Sequence, residues 1–353
     1  MSIANRVHIT KRTGASGGAQ LASRLAAIVV ALAASGLVML FMGYHPLEIF
    51  GKIITSSLST YSRFGETMNK TILLTMLSLG ISVAFRMKFW NIGAEGQFYM
   101  GAFGAALIAF GFPDLPAWLL LPLMGLCAFV FGGIWALIPA LIKAKFTTSE
   151  TLVTLMMNYI AISFISYLQY GPWKDPESLG AAKIARFSDN AILPKVFGIH
   201  AGWIIMLALV VVMTILLKYT KLGYQIDVLG ESETTARYAG MNTLKIMIIA
   251  VLLSGGLCGV AGFMQASAVE KSITDQMSGG LGFTAWLAKL KPPVIVVVSF
   301  AFSMLLQSGK ALQVMGIPSS ITEVLQGVII FFVLGSEFFI NYKISFRKAD
   351  KEG

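Results

Sequence analysis

Apolar residues along the chain fall into long runs separated by polar segments, with little of the two-residue alternation typical of membrane β-barrel strands. Nearly every run approaches the length of about twenty residues that an α-helix needs to cross a hydrocarbon layer. The pattern therefore predicts an all-α integral membrane protein with about ten transmembrane helices. The predicted spans are Arg24–Gly43, Glu66–Phe85, Gly93–Phe112, Pro116–Ile142, Glu150–Tyr170, Ala201–Leu217, Leu244–Val269, Met277–Ala288, Pro293–Ser308 and Ser320–Tyr342.

The eighth run, Met277–Ala288, is too short to cross a membrane comfortably. Gly279, Gly280 and Gly282 interrupt its beginning, and a pair of prolines follows its end. Irregular backbone at membrane depth is tolerated only where it packs against protein or lines a water-filled cavity. We therefore predict a broken or re-entrant helix that forms part of the wall of a pathway.

Composition and charge agree with a membrane protein and set its orientation. Hydrophobic residues make up 56% of the chain and charged residues only 12%, against roughly 25% charged in soluble domains. Basic residues are retained on the cytoplasmic side. With ten crossings and an inner amino terminus, the inner segments hold 18 of the 27 Lys and Arg residues and the whole +10 excess. This distribution predicts cytoplasmic termini and explains the charge without a nucleic-acid partner. Without the eighth crossing, the basic carboxyl-terminal tail would lie outside.

The spans divide the chain into a transmembrane domain, residues 24–342, between cytoplasmic tails at residues 1–23 and 343–353. Two polar stretches inside this domain are long enough to do more than connect helices. The outer loop, residues 171–200, is mixed in charge and could meet a soluble delivery protein. The inner loop, residues 218–244, contains a predicted short amphipathic helix. It is either a partner-docking element or a solvated connector.

Enzymatic signatures are scarce in the sequence. It contains neither the zinc-protease pattern H-E-x-x-H nor the phosphate-binding pattern G-x-x-x-x-G-K-[ST]. Gly14–Gly18 matches the nucleophile pattern G-x-S-x-G, but in a polar tail it lacks the required strand-to-helix turn. Cys127 and Cys258 lie inside apolar runs, which favours helix packing over a disulfide or a metal site. Gly255 and Gly259 are spaced for close helix contact.

Polar residues inside the predicted spans are the remaining candidates for function. A carboxylate at membrane depth costs several kcal/mol unless it is paired or hydrated, so Glu95 is the leading candidate. Asn and Gln in spans often bond neighbouring helices together, and Glu95 could instead cap a helix near the interface, so a structural role stays open for each. The predicted pathway residues are Asn91, Glu95, Gln97, Asn158, Thr284 and Trp286.

Four stretches of the sequence, in this order and spacing, resemble one protein family. They are Phe89–Ala102 (FWNIGAEGQFYMGA), Ser149–Ile160 (SETLVTLMMNYI), Gly230–Asn242 (GESETTARYAGMN) and Leu253–Gln265 (LSGGLCGVAGFMQ). Together they look like the permease family that serves ATP-binding-cassette (ABC) importers of ribose-type sugars, nucleosides and branched-chain amino acids. The second stretch is similar to the nucleoside branch in particular, and the likeness covers about Leu73 to Glu337.

This resemblance implies a multi-pass subunit of the bacterial cytoplasmic (inner) membrane. Two permeases, alike or different, would work with two cytoplasmic ATPase subunits and an external substrate-binding protein. The permease itself would bind no cofactor, because ATP and Mg²⁺ belong to the ATPase subunits, and membrane lipid would surround it. The third stretch resembles the segment of the family that transmits ATPase motion. Its expected coupling residues are Gly230, Glu231, Ala236, Arg237 and Gly240.

The eighth segment departs from the family pattern. Gly282 and Phe283 are usually followed there by an acidic residue and an alanine-rich half-helix, whereas here Thr284 to Lys289 read TAWLAK. The solute therefore stays open, with nucleosides ahead of pentoses, hexoses and branched-chain amino acids. An ion-coupled secondary transporter that uses Glu95 is the alternative function. An intramembrane enzyme lacks a convergent set of nucleophile, base and metal ligands.

Overall fold

The computed structural model describes residues 7–11, 17–146, 148–178, 180, 182–284, 291–318 and 320–346. Helices dominate this part of the chain. In chain order they are α1 (Gly17–Phe41), α2 (Pro46–Leu58), α3 (Tyr61–Arg86), α4 (Ala94–Gly111), α5 (Ala117–Phe146), α6 (Glu150–Tyr170), α7 (Gly202–Tyr219), α8 (Lys221–Glu231), α9 (Glu233–Tyr238), α10 (Thr243–Met264), α11 (Leu281–Thr284), α12 (Pro292–Val314) and α13 (Ser320–Asn341). The strands are β1 (Val7–Lys11), β2 (Lys195–Val196), β3 (Ile199–His200) and β4 (Tyr342–Phe346).

Within the described ranges, six helices are long and apolar enough to cross a membrane, or seven if one bent pair counts as a single span. They confirm a multi-pass helical membrane protein, while the ten crossings and the side of the termini stay predictions. The bent pair joins Val29–Phe41 to Pro46–Leu58 at 115°. The turn passes through Gly43, whose φ of 83° suits a glycine. The sequence pattern missed α2, because Glu48 and Lys52 interrupt its apolar residues.

Most predicted spans match the observed helices within a few residues. The fifth prediction and α6 coincide, and the seventh corresponds to α10 together with the π-helix Gln265–Glu270. The predicted amphipathic helix near residues 231–238 corresponds to α9, and a break separates it from α8, which the pattern did not predict. The break falls at Ser232, whose side chain accepts a hydrogen bond from Thr235 N (3.2 Å) and so begins a new helix.

The chain forms two compact units, Met1–Thr60 with Met304–Gly353, and Tyr61–Ser303. In the first unit α1 packs on α13. β1 and β4 pair in antiparallel fashion, with Val7 opposite Phe346 and Lys11 opposite Tyr342. The core of this first unit is a cluster of apolar side chains: Met39, Ile49, Ile53, Leu305, Leu312, Ile317, Ile321 and Leu325.

In the second unit, α10 packs against α3, α4 and α5. Glycines bring these backbones together, because a Cβ at Gly101 of α4 would overlap Gly259 of α10. A Cβ at Gly132 of α5 would lie 2.5 Å from the carbonyl oxygen of Gly255. The close contact predicted for Gly255 and Gly259 is therefore present.

Replacing Gly101 by Ala should lower the free energy of unfolding by about 1–3 kcal/mol, because the added methyl must push α4 away from α10. The matched control is Gly111→Ala on the same helix, where nothing lies within 4 Å of the added Cβ. That change should be neutral or slightly stabilising, since Ala favours helix more than Gly does. Thermal unfolding in detergent measures both, and equal melting temperatures would contradict the packing role.

Candidate functional site

The chain enters α4 along the side of α6. Ile92 N donates to Thr154 Oγ1 (3.2 Å). The side chain of Asn158 bonds the backbone on both sides of the start of α4: it accepts from Gly96 N (2.8 Å) and donates to the Ile92 carbonyl (2.9 Å). Asn158 lies eight residues beyond Glu150, the start of α6, which is about 12 Å along the axis. Residues 87–93, between α3 and α4, are therefore a non-helical interruption whose last residues, Ile92 and Gly93, lie along the side of α6 and not at its end.

Two buried amides secure this interruption against α10. Asn91 Oδ1 accepts from Gln97 Nε2 (2.8 Å) and from Gly93 N (3.0 Å), and Asn91 Nδ2 lies 3.1 Å from both Gln97 Oε1 and Ser254 Oγ. Asn91 and Gln97 are each 1% exposed. Because water is absent from hydrocarbon, backbone freed at such an interruption must be bonded by protein groups. The amides supply those bonds.

A second interruption follows the π-helix after α10. It begins at the outer loop, where Phe187 N donates to the Lys271 carbonyl (2.9 Å). It then passes the far end of α6, where Asp275 N donates to Gln169 Oε1 (3.0 Å) and Asp275 Oδ2 accepts from Ser166 (2.7 Å). Four residues, Leu281–Thr284, then form the short helix α11. The segment thus descends from the loop end of α6 to the depth at which α4 begins.

Glu95, in the first turn of α4, bridges the two interruptions. Its Oε2 accepts from Gly282 N (2.7 Å), and its Oε1 accepts a short hydrogen bond from the Ser278 hydroxyl. The neighbouring Tyr99 hydroxyl donates to the Asp275 carbonyl (2.7 Å). A Cβ at Gly282 would lie 2.7 Å from Glu95 Cα, so glycine permits the approach. The carboxylate, 2% exposed, holds the second interruption against the first.

The structure thus brings four of the six predicted pathway residues into one region: Asn91, Glu95, Gln97 and Asn158. Their polar atoms bond protein groups in this conformation, which is what a structural role for each residue predicts. The backbone of Thr284 ends α11, and Trp286 lies outside the described residues. Assignment of the six to a pathway stays a prediction.

A row of buried hydroxyls on α3 is a polar feature that the sequence analysis missed. We call it the hydroxyl stripe, and it consists of Thr67, Thr71, Thr75, Ser78 and Ser82. Leu77 and Gly80 contact α10, and at 100° per residue the stripe lies on the opposite face. Among the residues that the structure describes, the buried hydroxyls of Thr75 and Ser78 have no hydrogen-bond partner. The residues of the hydroxyl stripe recur every three or four positions, and this spacing is the sequence signal that predicts one polar helix face.

The inner loop packs on the end of α3 through α8. A Cβ at Gly230 would overlap the Arg86 carbonyl oxygen, so the two backbones touch. Arg86 also pairs with Asp227 (3.2 Å), and Lys88 Nζ lies 3.5 Å from the Glu231 carbonyl. These contacts tie the inner loop to one transmembrane helix.

The other predicted coupling residues lie on or beside α9. Ala236 is buried, whereas Arg237 is exposed and pairs with Glu233 (2.6 Å). Gly240 follows the helix with a φ of 72°, and Tyr238 is 94% exposed. The segment therefore has one face packed on the protein and one face open to a partner.

Comparisons with known proteins agree on one kind of protein. Residues 64–334 match the family described as branched-chain amino acid transport system / permease component. The glucose ABC transporter permease protein TsgB13 of Haloferax volcanii is 29% identical, over 90% of this chain and 88% of that protein. The nucleoside ABC transporter permease protein NupB of Lactococcus lactis is 28% identical, over 93% and 94% respectively. The guanosine ABC transporter permease protein NupP of Bacillus subtilis is 30% identical, over 88% and 92%.

Replacing Glu95 by Gln should loosen the second interruption, because an amide cannot accept from both Ser278 and Gly282 as the carboxylate does. A cysteine placed at Met277, which is 4% exposed, reports on this. We expect its thiol-labelling rate, read by peptide mass spectrometry apart from Cys127, to rise about tenfold, the effect of roughly 1.4 kcal/mol.

The matched control is Glu177→Gln in the same Met277→Cys background, since Glu177 is exposed on the outer loop. This variant makes the same chemical change away from the interruption and should leave the labelling rate unchanged. If Glu95→Gln also leaves it unchanged, the carboxylate does not hold the segment.

Proposed function

The chain belongs to the permease component family of branched-chain amino acid transport systems, and on that premise we propose that it forms the translocation pathway for nucleosides or related sugar-bearing solutes. The family resemblance of the four sequence stretches is confirmed by the match over residues 64–334. The chain is accordingly an ABC-transporter permease subunit and not an enzyme.

The buried side chains in the described residues are almost all uncharged, which supports a neutral, hydroxyl-rich solute. Among the side chains that the structure describes, Glu95 is the only Asp, Glu, Lys or Arg that is buried, and both its oxygens are bonded. The buried hydroxyls of Thr75 and Ser78, which bond no other residue in the described ranges, offer donors and acceptors without charge. A zwitterionic amino acid would bring two charges into this interior, which is costly without counter-charges. Two of the relatives above are named for nucleoside or guanosine transport and one for glucose.

The pairing of chain ends supports an even number of crossings. The hydrogen bonds between β1 and β4 favour a common side of the membrane for residues 7–11 and 342–346. The basic excess puts that side in the cytoplasm of a bacterial cell, with the protein in its cytoplasmic membrane. Ten crossings meet this condition if the eighth segment crosses, and its descent from Lys271 to Glu95 fits such a crossing.

The partners follow the family plan. Two cytoplasmic ATPase subunits carry ATP and Mg²⁺ and engage the inner loop, a second permease completes the pathway, and a substrate-binding protein meets the outer loop. Nucleotide shifts a conformational equilibrium only through contacts that differ between its two states. The contact between Gly230 and Arg86 gives such a change a direct route into α3.

Uptake into membrane vesicles that carry the complete importer tests the function. Radiolabelled nucleoside should enter only with internal ATP, and excess unlabelled nucleoside should compete better than a hexose or a branched-chain amino acid. Uptake that persists after ATP depletion, with an ion gradient maintained, would replace this proposal with ion-coupled transport. Stronger competition by another solute would reassign the substrate.

Replacing Gly230 by Ala should uncouple ATP hydrolysis from transport, because the new methyl must displace α8 from the end of α3. We expect uptake per ATP hydrolysed to fall at least tenfold, while assembly with the ATPase persists. Gly111→Ala, which meets no atom within 4 Å, serves as the control and should couple normally. Parallel assays of hydrolysis and uptake measure the ratio, and a parental ratio in Gly230→Ala would contradict the route through α3.

A further inference from the structure

A cavity of about 640 Å³ lies between the first turn of α5 and the outer loop. Trp118 and Leu121 form the wall on α5. Arg186, Asp189 and Lys195 of the outer loop and Lys271, just after the π-helix, add its charged groups. The transport cycle proposed above uses the outer loop to meet the substrate-binding protein but gives the cavity itself no ligand.

The charge of the cavity favours an anion. Three cations face one carboxylate, and Asp189 is paired with Arg186 at 3.4 Å. Lys195 and Lys271 form no ion pair within the described ranges. Two amino groups are therefore available to a negatively charged ligand.

The position of the cavity identifies the source of that anion. Trp118 lies in the first turn of a predicted membrane span and is 76% exposed, as expected of a tryptophan at the membrane interface. Below it, Leu126, Val130 and Ile134 are 61%, 43% and 53% exposed. Their four-residue spacing makes one continuous apolar strip along α5. A ligand with an anionic head and long apolar chains fits both features.

We propose that the cavity binds the phosphate headgroup of an anionic phospholipid of the outer leaflet, with its acyl chains along the α5 strip. Lys195 and Lys271 contact the phosphate, and Trp118 flanks the headgroup. Binding of an acidic segment of the delivery protein would use the same lysines but would leave the apolar strip without a role. The lipid accounts for both.

Native mass spectrometry of the purified importer, exchanged into nanodiscs of defined lipid, tests this inference. Phosphatidylglycerol should bind in preference to phosphatidylcholine. The double variant Lys195→Gln with Lys271→Gln should weaken phosphatidylglycerol binding about thirtyfold, since two basic residues near a membrane together contribute roughly 2 kcal/mol. The control is Lys174→Gln with Lys183→Gln, which removes two exposed lysines of the outer loop away from the cavity lining and should bind lipid normally.

Three results would overturn the inference. Equal binding of phosphatidylcholine would remove the charge argument. Displacement of lipid by millimolar inorganic phosphate or glycerol phosphate would show a site for a free anion, because these lack acyl chains. Weaker association with the substrate-binding protein in the Lys195/Lys271 variant, with lipid binding unchanged, would assign the cavity to that protein. None of these measurements depends on which solute is transported.

Discussion

The second unit depends on satisfying backbone hydrogen bonds where water is absent. A continuous helix would do this by itself, but the chain interrupts its helices at residues 87–93 and again before α11. Each interruption frees N–H and C=O groups that hydrocarbon cannot bond. Side chains that look like function candidates, Asn91, Asn158 and Glu95, supply the missing partners. Polarity in these spans therefore first makes irregular backbone possible, and any contact with solute is added to that role.

Close packing around α10 is what lets these short side chains reach their partners. Asn91 bonds Ser254 on α10, which requires the entry to α4 to lie near that helix. The overlap that a Cβ would create between Gly101 and Gly259 shows how little space separates the two backbones. Within lipid no hydrophobic driving force holds helices together, so their association depends on van der Waals packing, which small residues allow by letting the backbones approach closely. Glycine placement and buried polarity are therefore parts of one arrangement.

The sequence predicted those features whose signals are local and strong. Runs of apolar residues predicted the bounds of α6 and the approximate ends of most other spans. The glycines before α11 predicted the second interruption. The pattern missed α2, since a helix with Glu48 and Lys52 resembles a polar connector. It also missed the break at Ser232, where one side-chain cap outweighs helix spacing. The partners of Glu95 could not be predicted, because Ser278 and Gly282 lie 183 and 187 residues away along the chain.

The proposed coupling contact and the proposed solute contact lie on one helix in this arrangement. The carboxyl-terminal end of α3 touches α8 at Gly230, and the hydroxyl stripe runs along the same helix from Thr67 to Ser82. An α-helix of this length is stiff compared with the loops around it, so a displacement at its end moves the whole stripe. Hydroxyls that lack a partner in one position can gain one in another, and such a difference in bonding is what a two-state carrier needs. The proposed energy input and the proposed solute contact thus require no longer route than α3 itself.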